Sequence, residues 1–187
     1  VKTTSAADNW QVYHQALGNT SRLELNNTDA KGTSTALWNN TSPTSSVFSL
    51  GNGSVVNSST RDYVFYAFAE KKGYSKFGSY TGNGSTDGAF IYTGFKPSFF
   101  MIKRTDSAGG AWNILDNKRS TFNLVNKYIQ ANDSAVEGTF DFGDFLSNGF
   151  KFRSSSANLN GSGNTFIYMA FAENPFTTST GIPCTAR

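Results

Sequence analysis

A chain of 187 residues is long enough for one large or two small domains with real cores, and its net charge of +3 is spread without a basic run or an acidic tail. The pairs Lys71-Lys72, Lys103-Arg104 and Lys118-Arg119 are scattered, which argues against a nucleic-acid site or a membrane-surface patch, since either needs concentrated charge. Ser (23), Thr (20), Asn (19) and Gly (18) together disfavour helix, because the first three compete for backbone hydrogen bonds and glycine loses the most entropy on ordering.

With 15% aromatic residues, the remaining pattern is one of short strands joined by polar turns. Taken in chain order, Trp10 anchors an early strand, Asn52-Gly53 marks a turn, and Tyr63 to Glu70 is a mostly apolar strand. Gly82-Asn83-Gly84 is a second turn. Phe99-Phe100-Met101-Ile102, bounded by Pro97 and a polar turn, has the pattern of a buried strand. Ala111 to Asp116 alternates after Gly109-Gly110, and Phe122 to Ala131 admits a helical turn. Gly149 to Arg153 alternates cleanly, with Phe150 and Phe152 on one face and Lys151 and Arg153 on the other. After Asn160-Gly161, Phe166 to Phe171 fits a central strand. The spacing predicts an all-β sandwich or barrel-like fold.

Two stretches repeat. Tyr63-Val64-Phe65-Tyr66-Ala67-Phe68-Ala69-Glu70 matches Phe166-Ile167-Tyr168-Met169-Ala170-Phe171-Ala172-Glu173, and Trp10 with Trp112, Phe48 with Phe150 and Trp38 with Phe140 share a spacing of about 102 residues. The units expected are 1–75 and 76–176, followed by a tail, 177–187. Val1-Lys2 falls where Ile102-Lys103 falls, so the first unit's opening strand is expected upstream of residue 1, and residue 1 is Val rather than Met. Exposed sheet edges are normally covered, so that first strand is expected to lean on a partner.

Chemistry is sparse. His14 is the only histidine and reads as a surface or turn residue, with no G-x-S-x-G elbow to form a triad. Cys184 alone permits no internal disulfide and suits folding in a reducing cytoplasm. No apolar stretch approaches the ~20 residues of a membrane span, and no signal peptide is visible. Asp141 and Asp144 read as polar positions around a strand or turn, and Glu70 and Glu173 as strand-end residues held by a lysine or an amide, rather than as a hydrolytic pair. Gly82 to Gly88 fits neither a phosphate loop nor a strong calcium site and reads as a glycine-rich turn. Nine N-x-S/T sequons follow from the Asn, Ser and Thr content. Trp10, Trp38 and Trp112 read as core. Tyr74 and Tyr80, in the Gly-rich link between units, are the expected ligand contacts, because packing explains them least. No enzyme activity, cofactor or metal is expected.

Trp10-Gln11-Val12-Tyr13-His14, Trp38-Asn39-Asn40-Thr41-Ser42-Pro43-Thr44, Gly78-Ser79-Tyr80-Thr81-Gly82-Asn83-Gly84, Gly94-Phe95-Lys96-Pro97 and Ala170-Phe171-Ala172-Glu173-Asn174-Pro175-Phe176 resemble a repeat of bacteriophage virion proteins. That repeat is abundant in marine and cyanobacterial phages, often beside concanavalin A-like lectin domains in tail fibres. Thr177 to Arg187 resembles the natural C-terminus of such proteins. The resemblance implies tandem β-sandwich-like units of jelly-roll or lectin-like type. It implies a tail fibre, head fibre or decoration protein, assembled in the host cytoplasm and exposed on the particle exterior. Its partners would be other virion subunits, with a homotrimer expected, and a host cell-surface glycan; neither nucleic acid nor membrane insertion is implied. The alternative is a carbohydrate-binding module of a secreted bacterial glycoside hydrolase.

Overall fold

The computed structural model describes residues 1–175. Thirteen short strands, one 3₁₀ turn (Gln15–Leu17) and no α-helix make up these residues, so the all-β expectation is met. The strands are β1 (Lys2–Thr3), β2 (Gln11–Val12), β3 (Ser21–Glu24), β4 (Gly32–Thr33), β5 (Tyr63–Val64), β6 (Ser75–Thr81) and β7 (Phe90–Tyr92). They continue with β8 (Pro97–Arg104), β9 (Asn113–Asp116), β10 (Val125–Gln130), β11 (Gly138–Leu146), β12 (Gly149–Phe152) and β13 (Thr165–Ala172). The tail 177–187, with Cys184, and residue 176 of the second unit lie outside the described residues.

Residues from Ser75 onward form one eight-stranded antiparallel sheet in the order β6-β13-β8-β9-β10-β11-β12-β7. Alternation drives it. Phe100 and Ile102 of β8, Phe150 and Phe152 of β12, and Phe166, Tyr168 and Ala170 of β13 all turn to one face and are buried there. The sheet rolls until those inner faces meet: Phe100 stacks on Phe150 at 4.8 Å between ring centroids and on Tyr168 at 5.3 Å. The result is barrel-like, and its two outermost strands, β6 and β7, are joined by a single loop, Gly82 to Ala89.

That loop is fastened by Asn160, which is fully buried. Its Oδ1 accepts from the amides of Asn83 (3.1 Å) and Ala89 (3.3 Å), while its Nδ2 donates to Asn83 Oδ1 (2.8 Å), Ser85 O (2.8 Å) and Ser154 O (2.9 Å). Glycine is required where the loop crosses: a Cβ on Gly82 would stand 2.3 Å from the Gly161 carbonyl oxygen. The expected helical turn at 122–131 is instead largely strand β10, because residues 125–130 pair with β9 on one side and β11 on the other, and Val125 is needed in the core.

The outer face of the same sheet receives the first half of the chain. Ile167 of β13 and Trp112 pack with Leu23 of β3, and Trp112 Nε1 donates to the Glu24 carbonyl at 2.9 Å. Lys103 is fully buried at this junction; its ammonium donates to the carbonyls of Asp29 (2.8 Å), Arg104 (2.9 Å) and Thr28 (3.4 Å). Burial pulls its pKa down to about 8, more than the nearby Asp29 carboxylate restores.

The first half is built from small ladders, β1-β5 and β2-β3-β4. Lys2 pairs with Val64 as Lys103 pairs with Ile167, and Ser21-Thr33 with Arg22-Gly32 parallels Lys127-Thr139 with Tyr128-Gly138. The Trp10 amide donates to Asn26 Oδ1 at 2.9 Å as the Trp112 amide donates to Asn132 Oδ1 at 2.7 Å. Asn57 Nδ2 donates to Gly51 O as Asn160 Nδ2 donates to Ser154 O, both at 2.9 Å. Side-chain surroundings differ at these positions. Trp112 and Phe150 are buried where Trp10 and Phe48 are only partly so, and Phe68 is exposed where Phe171 is half-buried.

Two outcomes follow. Asn160→Ala should lower the unfolding free energy by roughly 2–4 kcal/mol, since it orphans several buried groups, whereas Asn57→Ala, which removes a single part-buried bond from an exposed residue, should cost under about 1 kcal/mol in urea unfolding. For Lys103, the unfolded side chain keeps its proton up to the ordinary 10.5 while the folded one releases it near 8. Between those values the unfolded state binds more protons, so stability rises with pH, by at most about 3 kcal/mol. Lys103→Met should remove that rise, measured as the difference between wild-type and variant urea midpoints from about pH 8 to about pH 10.

Candidate functional site

An open apolar hollow of about 410 Å³ lies where the stretch after β5 meets the end of β13. Its wall is Ala67, Phe68, Ala69, Lys71, Tyr74 and Phe171. A tight turn builds it. Tyr74 and Ser75 amides both donate to the Lys71 carbonyl at 2.9 Å, Gly73 takes φ +72, and Ser75 Oγ donates to Ala69 O at 2.8 Å. A left-handed residue between Lys72 and Tyr74 is what lets the chain reverse there, and glycine takes that conformation without cost. The turn sets Tyr74 edge-on to Phe171 at 5.7 Å, and Phe171 is further ringed by Phe68 (6.0 Å), Phe77 (6.0 Å) and Phe99 (5.8 Å).

The rest of the hollow's chemistry is an exposed phenol on Tyr74 and the Lys71 side chain beside aromatic edges. The Glu70 carboxylate next to it is paired with the Lys76 ammonium at 3.0 Å, and Glu173 with Lys96 at 2.8 Å; Glu173 directly follows β13, whereas the strand expected over Tyr63 to Glu70 stops at Val64 and Glu70 ends none. Such a surface can stack a flat apolar face and offer hydrogen bonds at its rim.

Of the two tyrosines singled out in the sequence, Tyr74 lines this hollow and is exposed. Tyr80 does not take the exposed position expected for it. It lies on the core side of β6, stacked on Phe166 at 4.8 Å and Phe152 at 5.1 Å, with its hydroxyl donating to Leu159 O at 2.6 Å. Burial drives its pKa well above the ordinary value. Alternation along β6 decided this: Tyr80 and Ser79 fall on opposite faces, and only the larger ring fills the space beneath Phe152.

His14 is likewise not at the surface. Its Nδ1 accepts from the Ala16 amide at 3.2 Å, capping the 3₁₀ turn, which leaves Nε2 to donate to the Tyr168 carbonyl at 3.3 Å. Burial lowers its pKa. Asp144 is held by Arg153 at 2.7 Å, while Asp141 is exposed on β11. Phe171 is the residue that reading the sequence missed. The repeat makes Phe68 its equivalent position, whereas the structure puts the two rings in contact at 6.0 Å.

Truncating the two tyrosines should separate their roles. Tyr80→Ala should cost about 3–5 kcal/mol, as removal of a large buried ring does, and Tyr74→Ala under about 1 kcal/mol, both read from thermal unfolding.

Comparison with curated proteins and with solved structures finds no match in either. Residues 1–175 match a family described as a domain of unknown function, DUF7483. The chain therefore belongs to the DUF7483 family.

Proposed function

We propose that this chain is a surface component of a bacteriophage virion, of tail-fibre, head-fibre or decoration type, that works by assembly and by weak adhesion to host-surface glycan. The observation that carries the adhesive part is the open aromatic hollow of Tyr74, Phe68 and Phe171 with Lys71 at its rim. A sugar ring offers one apolar face for stacking and hydroxyls for the Tyr74 phenol and the lysine. The phage setting rests on the resemblance of the Trp10, Trp38, Gly78 and Ala170 segments to virion repeats.

An internal repeat of about 102 residues, present as the C-terminal part of a first unit in 1–75 and as a second unit in 76–176, with the tail 177–187, completes the reading. Its support is the shared strand register: Lys2 with Val64 against Lys103 with Ile167, and Arg22 with Gly32 against Tyr128 with Gly138. The unlike burial at Trp10 and Trp112, or Phe48 and Phe150, goes with the sheet around them. The second unit surrounds these positions with β6, β7, β8 and β12, and the first with ladders of two to four residues. Each unit in this reading is a β-sandwich-like body of jelly-roll or lectin-like type, and copies assemble as a homotrimer.

One exposed ring on a sugar contributes on the order of 1 kcal/mol, so a single copy binds at about millimolar strength, about 4 kcal/mol. Copies arrayed on a particle raise that by roughly a hundredfold through avidity. Antibody labelling of purified particles should place the chain on the exterior, and Tyr74→Ala should weaken particle adsorption several-fold while Tyr74→Phe retains most of it. Unchanged adsorption for Tyr74→Ala removes the hollow as the contact. Release of reducing sugar from host glycans by the purified chain overturns the non-enzymatic reading.

A further inference from the structure

The stretch that follows β5 holds three exposed aromatic side chains within four residues. Phe65, Tyr66 and Phe68 are 54%, 69% and 61% exposed in a row of six residues that ends in Glu70. Among the described residues, no backbone N–H or C=O from Phe65 to Phe68 has a hydrogen-bond partner; the first one past them is the Ala69 carbonyl, which takes Ser75 Oγ. An aromatic and unpaired edge of this kind is a template for another strand.

The molecule carries its own example of the covered form. Thr165 to Ala172 is flanked on both sides, by β6 and by β8, with Phe99 opposite Phe171 and Met101 opposite Met169. Parity tells which side is which. The Thr165 carbonyl accepts from Thr105 (2.9 Å) and the Glu173 amide donates to Lys96 O (2.9 Å), so odd-numbered residues of that strand face β8. The Ala172 amide donates to Tyr74 O (2.8 Å), so even-numbered ones face β6. In the first half the Asp62 carbonyl accepts from Thr4 (2.8 Å), which puts Val64, Tyr66 and Phe68 on the β1 side. The aromatic layer agrees. Phe100 stacks on both Phe150 and Tyr168, while the matching rings Phe48 and Phe65 lie edge-on to each other at 5.0 Å.

We infer that Phe65 to Glu70 is a receiving edge for an antiparallel β-strand of the kind that opens a repeat unit of this family, the kind represented in this chain by β8. The inference rests on the tandem reading above, and the edge shares Ala67, Phe68 and Ala69 with the wall of the hollow. The incoming strand bonds to the amides of Tyr66 and Phe68, and an aromatic at the Phe100 position of that strand packs on Phe48 and Phe65. Apolar alternation with a ring at that position is the chemistry that selects it.

Hydrogen exchange on the full chain, with and without a synthetic Phe95–Arg104 peptide at about millimolar concentration, tests this. The peptide should slow exchange at Tyr66 and Phe68 by at least about tenfold and leave Phe65 and Ala67 unchanged, an alternation that nonspecific sticking does not produce. A peptide carrying Phe100→Asp should lose the effect. In the chain, Tyr66→Pro should abolish protection of Phe68 while Tyr66→Ala keeps it. No slowing at Tyr66 and Phe68 overturns the proposal. Slow exchange there without peptide, in a chain of dimeric mass, also overturns it, since a second copy then covers the edge. Fast exchange at Thr4, whose amide belongs to the existing ladder, removes the tandem reading and this inference with it; slow exchange at Thr4 with no peptide effect removes the inference alone.

Discussion

Everything in the molecule is arranged around β13, whose two faces are both in use. Phe166, Tyr168 and Ala170 point inward and are covered by the rolled sheet, while Ile167 points outward and is covered by Leu23 and Trp112. A strand with one polar face would allow the barrel-like part to exist without the first half. This one carries Ile167 outward, so losing the first half would expose Ile167 and Trp112 and take the Thr28 and Asp29 carbonyls from Lys103, leaving it that of Arg104. The pairing of β13 with β6 on one side and β8 on the other makes it the strand on which the sheet, its core and the junction all depend.

Much of this was legible in the residues. Phe150 and Phe152 alternate with Lys151 and Arg153, and the structure buries the first pair and leaves the second partly open. Asn52-Gly53, Gly82 to Gly84, Asn148-Gly149 and Asn160-Gly161 all fall outside strand interiors or at strand ends. The stretch 122–131 was harder. Its apolar positions are few, and period alone does not separate a short strand from a helical turn; the neighbours on both sides, remote in sequence, decide it. His14 shows the same limit: only the Tyr168 carbonyl, brought in from the far end of the chain, makes it a buried capping group.

The candidate site was half legible. Tyr74 follows Gly73 in a polar link, and a ring there with no apolar neighbours in sequence had little to pack on, which is the condition for exposure. Tyr80 sits in a similar composition, yet it falls in strand phase with the core, and phase cannot be counted until the strand's start is known. Phe171 was hidden by its own repetition, because a position matched to Phe68 by alignment reads as equivalent to it and not as its contact.

Hydrogen-bond ladders of very unequal length run through this chain. β1 meets β5 over two residue pairs, whereas β13 meets β6 and β8 over seven each. Opening free energy scales with the number of pairs and the area that must come apart together, so the molecule has a weak end and a strong end. Under a stretching load or a protease, residues 1–64 peel first and do so without disturbing the rolled sheet's interior. The break travels along the outer face and stops at Ile167 and Trp112, where the sheet's own cooperativity takes over. A chain loaded in this way gives in steps, the short ladders before the long ones, instead of failing at once.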